Sequence, residues 1–139
     1  MAVATTSSVN IQEIKLSLGR CSMKGDLFQR FYEIFFKSHP DIPGYFENTE
    51  MKKQEHLLKQ GINLAIMHFQ GMSMGQRALE RIRETHNRHN LNIPPALYNY
   101  WKKSFLKAIE ETDPKITPQL LKDWEVVLQN TVAFVTAGY

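Results

Sequence analysis

Apolar residues recur along this chain at intervals of three and four, and prolines cut the pattern into segments. That combination limits the fold more than any other feature of the sequence. Phe28, Phe31 and Phe35 share one stripe, Tyr32 and Phe36 lie beside it, and Pro40 stops the segment. There is no Asn-Gly hairpin turn and no sustained period-two alternation. The chain is therefore expected to be all-α, with about seven to eight helices counting short ones.

The segments follow in order. Ser8-Val9-Asn10 offers a capping residue for a helix begun by Ile11, Ile14, Leu16 and Leu18, and Gly19 to Gly25 is expected to contain a corner or break. Asp26 is placed to cap a helix from Leu27 to about Ser38. Pro43 and Gly44 prolong the turn after it, and Tyr45-Phe46 puts an aromatic pair into an otherwise polar corner. Asn48 or Thr49 can cap the next helix, roughly Glu50 to Gln70, whose inward stripe is Gln54, Leu58, Gly61, Ile62 and Ala65. His56 stands about 200° round that helix from Gln54 and should point elsewhere. Gly71 to Gly75 breaks the pattern before a helix carrying Leu79, Ile82 and His86. Pro94-Pro95 opens another, with Leu97, Tyr98, Trp101, Phe105 and Ile109 inward as far as about Glu111. Thr112-Asp113-Pro114 ends it. Thr117-Pro118 then starts a last helix with Leu121, Trp124, Leu128 and Val135 on or near its inner face.

Composition narrows the function classes. With 139 residues the expectation is one domain, residues 1–139, of which 1–8 form a flexible tail. The net charge of +3 comes from Lys and Arg spread among acids, so no basic face marks a nucleic-acid binder. The single cysteine, Cys21, cannot form an internal disulfide and suits a reducing compartment. The start lacks a charged, apolar secretion signal, and no apolar run nears the roughly 20 residues of a membrane span. A cytoplasmic protein without nucleic-acid or membrane partners is expected.

His86 is the residue on which function turns. It shares a helix face with Leu79 and Ile82, at i, i+3 and i+7, and that face is otherwise apolar. An imidazole there needs a hydrogen-bond partner or a metal. Taken alone, a hydrogen-bonded core histidine is the commoner case. His56 and His89 read as surface residues, although His89, one turn on, is a rival to His86. The chain has no Cys pair, His-Glu-x-x-His or repeated Glu-x-x-His, so zinc and di-iron sites lack their ligand sets.

In its order of features the chain resembles a globin over nearly its whole length. Phe31-Tyr32-Glu33-Ile34-Phe35-Phe36-Lys37-Ser38-His39-Pro40 is similar to the second helix of bacterial globins. Phe46 matches the family's corner phenylalanine, and Gln54 and Leu58 match its two distal haem-facing positions. His86, about 30 positions further on, matches the proximal histidine; Tyr98, Trp101 and Trp124 match later aromatic positions. More narrowly, the Tyr32/Gln54 pair resembles single-domain bacterial globins related to flavohaemoglobins and globin-coupled sensors.

The resemblance implies a haem b cofactor, with His86 as axial ligand and Phe46, Phe31, Leu58, Ile62, Ile82 and Tyr98 around the porphyrin. Tyr32 and Gln54 would be the distal donors, each worth roughly 1–3 kcal/mol of held dioxygen. Arg81, Arg83 and Arg88 are candidates to pair with the propionates. A late glutamate that joins a tyrosine and the proximal histidine in flavohaemoglobins has no counterpart where Thr136-Ala137-Gly138-Tyr139 stands, which weakens any peroxidase-like reading. The expected function is reversible binding of dioxygen, nitric oxide and carbon monoxide for sensing, delivery or detoxification. The alternatives are a nitric oxide dioxygenase and a haemless globin-fold interaction module. A reductase or signalling partner would be a separate protein, and the chain itself a monomer or homodimer.

Overall fold

The computed structural model describes residues 9–24 and 26–139. Ser8 as a cap, Gly25 as a corner and the tail at 1–8 lie outside the described residues. Among the described residues the order is six α-helices and one 3-10 turn: α1 Ile11–Lys24, α2 Leu27–Ser38, the turn Pro43–Phe46, α3 Met51–Phe69, α4 Ser73–His86, α5 Leu97–Thr112 and α6 Pro118–Thr136. No strand occurs among the described residues. The all-α expectation holds, at the lower end of its helix count.

α1 runs unbroken through Gly19 and ends at Lys24, inside the Gly19 to Gly25 stretch where a corner or break was expected. Its buried stripe is Ile14, Ser17, Leu18 and Cys21, spaced i, i+3, i+4 and i+7, while Gly19 and Leu16 face solvent. Burial of that stripe outweighs the roughly 1 kcal/mol a helical glycine costs. Asn10 Oδ1 accepts from the Glu13 amide at 3.2 Å and starts the helix. At α3 the cap is neither Asn48 nor Thr49. The Glu50 carboxylate accepts from the Lys52 and Lys53 amides at 3.1 and 3.0 Å, since a negative group is favoured at a helix N-terminus. Thr117 caps α6 through its hydroxyl, which accepts from the Leu120 amide at 3.1 Å.

The helices stack in crossed pairs: α2 on α5, α3 on α4, and α6 against α3, α4 and α5, with α1 laid across α5 and α6. Phe31, Phe105 and Trp124 are fully buried at the centre. Phe105 lies 5.7 Å from Phe31 and 5.8 Å from Trp124, ring centre to ring centre. Removing rings of this size from water contributes about 1.5–3 kcal/mol each. Gly75 permits the α3–α4 crossing, because a Cβ there would sit 2.5 Å from the His68 amide nitrogen and 2.9 Å from the Leu64 carbonyl oxygen. Gly71, at φ 81°, ends α3 in the left-handed region, and the Met72 amide bonds back to the Met67 carbonyl at 3.0 Å.

A buried polar chain ties α1 to the α5–α6 corner. Trp124 Nε1 donates to Ser17 Oγ at 3.0 Å, and Ser17 donates to Asp113 Oδ2 at 2.6 Å. Arg20 meets the same carboxylate with two bonds, at 2.7 and 3.0 Å. Burial alone would raise the Asp113 carboxyl, but bonds from Arg20, Ser17 and the Lys115 amide outweigh it and hold the group below its ordinary value.

Candidate functional site

Two side chains from different helices meet on one side of the site. Tyr32 leaves the inner face of α2 and is 5% exposed; Gln54 leaves the first turn of α3. Gln54 Nε2 donates to Tyr32 Oη at 3.1 Å. The phenolic oxygen thus accepts, and its own proton remains available to a third partner. Burial pushes the Tyr32 hydroxyl up to about 12, moderated by the Gln54 bond, so it stays protonated at neutral pH. The 3-10 turn brings Phe46 against this pair, its ring centre 5.7 Å from Tyr32 and 5.3 Å from Phe36. Leu58 and Ile62, one and two turns after Gln54, are buried in the same core.

His86 is the last residue of α4, one turn after Ile82 and two turns after the buried Leu79. Its Nδ1 lies 2.8 Å from the Ile82 carbonyl oxygen and 3.1 Å from Thr85 Oγ1, and Thr85 in turn donates to that carbonyl at 3.0 Å. A carbonyl oxygen can only accept, so Nδ1 carries the proton. Burial pushes the imidazole below its ordinary value, partly offset by the Ile82 bond. The ring is therefore neutral at pH 7, with its tautomer set and the Nε2 lone pair free. Thr85 was not a sequence candidate; its position next to His86 is the only signal that could have suggested it.

The other candidates separate from this group. Tyr98 is half-buried near the start of α5, and burial raises its hydroxyl; no hydrogen bond joins it to His86. His89 is exposed and lies in the turn after α4, off the helix register that His86 keeps. His56 is exposed and pairs with Gln60 at 3.2 Å. The Arg83 guanidinium lies 4.4 Å from the Phe134 ring centre, and that of Arg88 4.9 Å from Tyr139, so both are engaged within the protein. No cluster of three His, Cys, Asp or Glu suited to a metal ion occurs among the described residues. Nor is any described helix long and apolar enough to cross a membrane.

The fold and this order of residues define a class. The chain belongs to the globin family, whose model matches residues 29–135. It is similar to the crystal structure of a protein from Pseudomonas aeruginosa PAO1, described as structurally highly homologous to a human hemoglobin. The identity is 32% and the TM-score 0.89, over 93% of this chain and 97% of the other. Among curated proteins no sequence matches.

Proposed function

We propose that this chain is a haem-binding globin that reversibly takes up dioxygen and other diatomic gases at a haem b iron held by His86. The observation that carries the reading is the orientation of that imidazole: its Nδ1 lies 2.8 Å from the Ile82 carbonyl oxygen, which commits Nδ1–H and leaves Nε2 to bind, and burial favours the neutral ring. This is the arrangement an axial nitrogen donor needs, because the second bond fixes the ring and strengthens the donor. The donor set thus fits haem. Phe46, Leu58, Ile62, Ile82 and Tyr98 would provide the apolar walls, and a bound haem would supply a gas-binding iron.

The chain's own residues then set selectivity. Tyr32 holds a proton it can donate to a polarised gas molecule, and Gln54 holds Tyr32 in place. Leu58 and Ile62 exclude water from the neighbourhood, which strengthens that bond. The Tyr32/Gln54 pair supports a relationship with flavohaemoglobin and sensor globins. A single domain in the cytoplasm, as monomer or homodimer, belongs to the same proposal.

The test is titration of haem into the purified apoprotein, followed by absorption. Saturation at one haem per chain, with a Soret band that shifts under carbon monoxide after reduction, is expected. Absence of saturable uptake would overturn the reading and leave the haemless interaction module. If haem binds, sustained nitrate formation from nitric oxide and dioxygen, with an added electron donor, would mark a dioxygenase.

A further inference from the structure

α1 lies across α5 and α6 and does not pack closely on α3. A groove of about 540 Å³ runs between α1 and α3. Its floor is aliphatic. Leu18 of α1 and Ile66 of α3 are buried there, and Met67 and Met72 flank them, Met72 at 47% exposure. Apolar surface left in water is unfavourable, and flexible methionines adapt to a ligand that covers it. Gly19 borders the groove, and a Cβ there would meet no atom within 4 Å, so that edge is open. The rim is basic. Lys15 and Lys59 come one from each helix, no lining residue is acidic, and neither lysine takes part in an ion pair among the described residues. The groove is separate from the site around Tyr32 and His86, for Met67, nine positions after Leu58, is about 180° round α3 from it.

We propose that this groove binds a single-chain aliphatic carboxylate, its hydrocarbon lying over Leu18, Ile66, Met67 and Met72 and its charge held by the rim lysines. The volume falls among those of small-molecule sites, about 300–1,000 Å³. On α3 the lining runs from Lys59 to Gln70, about 16 Å of helix. A partner helix of that length and about 10 Å width would fill roughly 1,200 Å³, so the groove suits a narrower chain. A cation would be repelled by the rim and a neutral chain would gain nothing from it, whereas a carboxylate is attracted by both lysines. The proposal is independent of haem uptake.

The test is magnetic resonance of the full chain with isotope-labelled methionine methyls, titrated with decanoate, decanol and decyltrimethylammonium below their micelle concentrations. Met67 and Met72 should shift saturably with decanoate, while Met51, at the other end of α3, stays still. Lys15→Gln combined with Lys59→Gln should weaken decanoate about threefold to tenfold, the scale of two exposed ion pairs, and leave decanol unchanged. Gly19→Phe fills the open edge and should weaken both by about tenfold or more with the Met51 signal unchanged, whereas Gly19→Ala should not. No saturable shift at Met67 and Met72 overturns the proposal. So does decanoate binding that Gly19→Phe leaves intact, or equal affinity for decanoate and the cation. Binding to anionic phospholipid vesicles without any decanoate shift also overturns it, and assigns the face to a membrane surface.

Discussion

Gln54 commits one amide hydrogen to Tyr32, and this makes the two residues unequal. On the haem reading Tyr32 would be the direct donor to a bound gas, with Gln54 working largely through it. In haem-loaded protein, Tyr32→Phe should release dioxygen faster by about 5- to 150-fold, the range for a lost bond of roughly 1–3 kcal/mol. Gln54→Leu should cost less, and the double variant should cost less than the two combined, because the residues share one bond. Stopped-flow displacement of dioxygen measures all three; additive losses would show independent donors. In the sequence, helix periodicity places Gln54 and His86 on inner faces and Tyr32 beside one, and the globin resemblance is what suggests their roles. Thr85 was not legible, since its bond depends on a rotamer that spacing does not specify.

At the scale of elements, prolines and apolar stripes marked most boundaries closely. Pro118 opens α6 behind a Thr117 cap, and α2 ends at Ser38 before Pro40. The corner expected between Gly19 and Gly25 falls at the far end of that stretch, since α1 continues to Lys24. Gly19 lies on the helix's solvent face, where a missing side chain costs little packing. At α3 a charged cap replaced the more usual Asn or Thr. Gly75 shows the opposite case to Gly19, for it sits at a helix crossing with no room for a methyl group. Gly75→Ala should therefore destabilise the apoprotein by on the order of 1–3 kcal/mol, as overpacking does, despite alanine's better helix propensity. Denaturant unfolding measures it, and a stabilised variant would contradict the crossing geometry. Gly19→Ala, with open space around it, should instead be neutral or mildly stabilising.

Across the whole molecule, acid should act on the apoprotein in two stages. Burial holds His86 and His68 below the ordinary imidazole value of 6.5, so their contribution to stability is complete above that pH. It is lost as pH falls through their lower folded-state values, because the unfolded chain binds those protons more readily. Asp113 also lies below its ordinary 3.8, so its contribution persists to lower pH and disappears as pH falls through its own depressed value. Asp113→Asn should remove much of the second stage and leave the first. Urea unfolding between pH 7.5 and pH 2 checks both, and an unchanged second stage would relieve Asp113 of that role. Its network, which anchors α1 to the α5–α6 corner, was not visible in the sequence. Asp113 read there as part of a helix stop, and only the fold shows the carboxylate turned inward to Ser17 and Arg20.

The haem reading has His86 present a free Nε2 to the iron. The most direct test is the absorption spectrum of reduced, haem-reconstituted His86→Gly, recorded without and with added imidazole, beside wild type. Loss of the wild-type ferrous spectrum is expected in the variant, with recovery when imidazole fills the vacated position. A variant spectrum identical to wild type without imidazole would contradict it, and would move the axial role to another residue, His89 first.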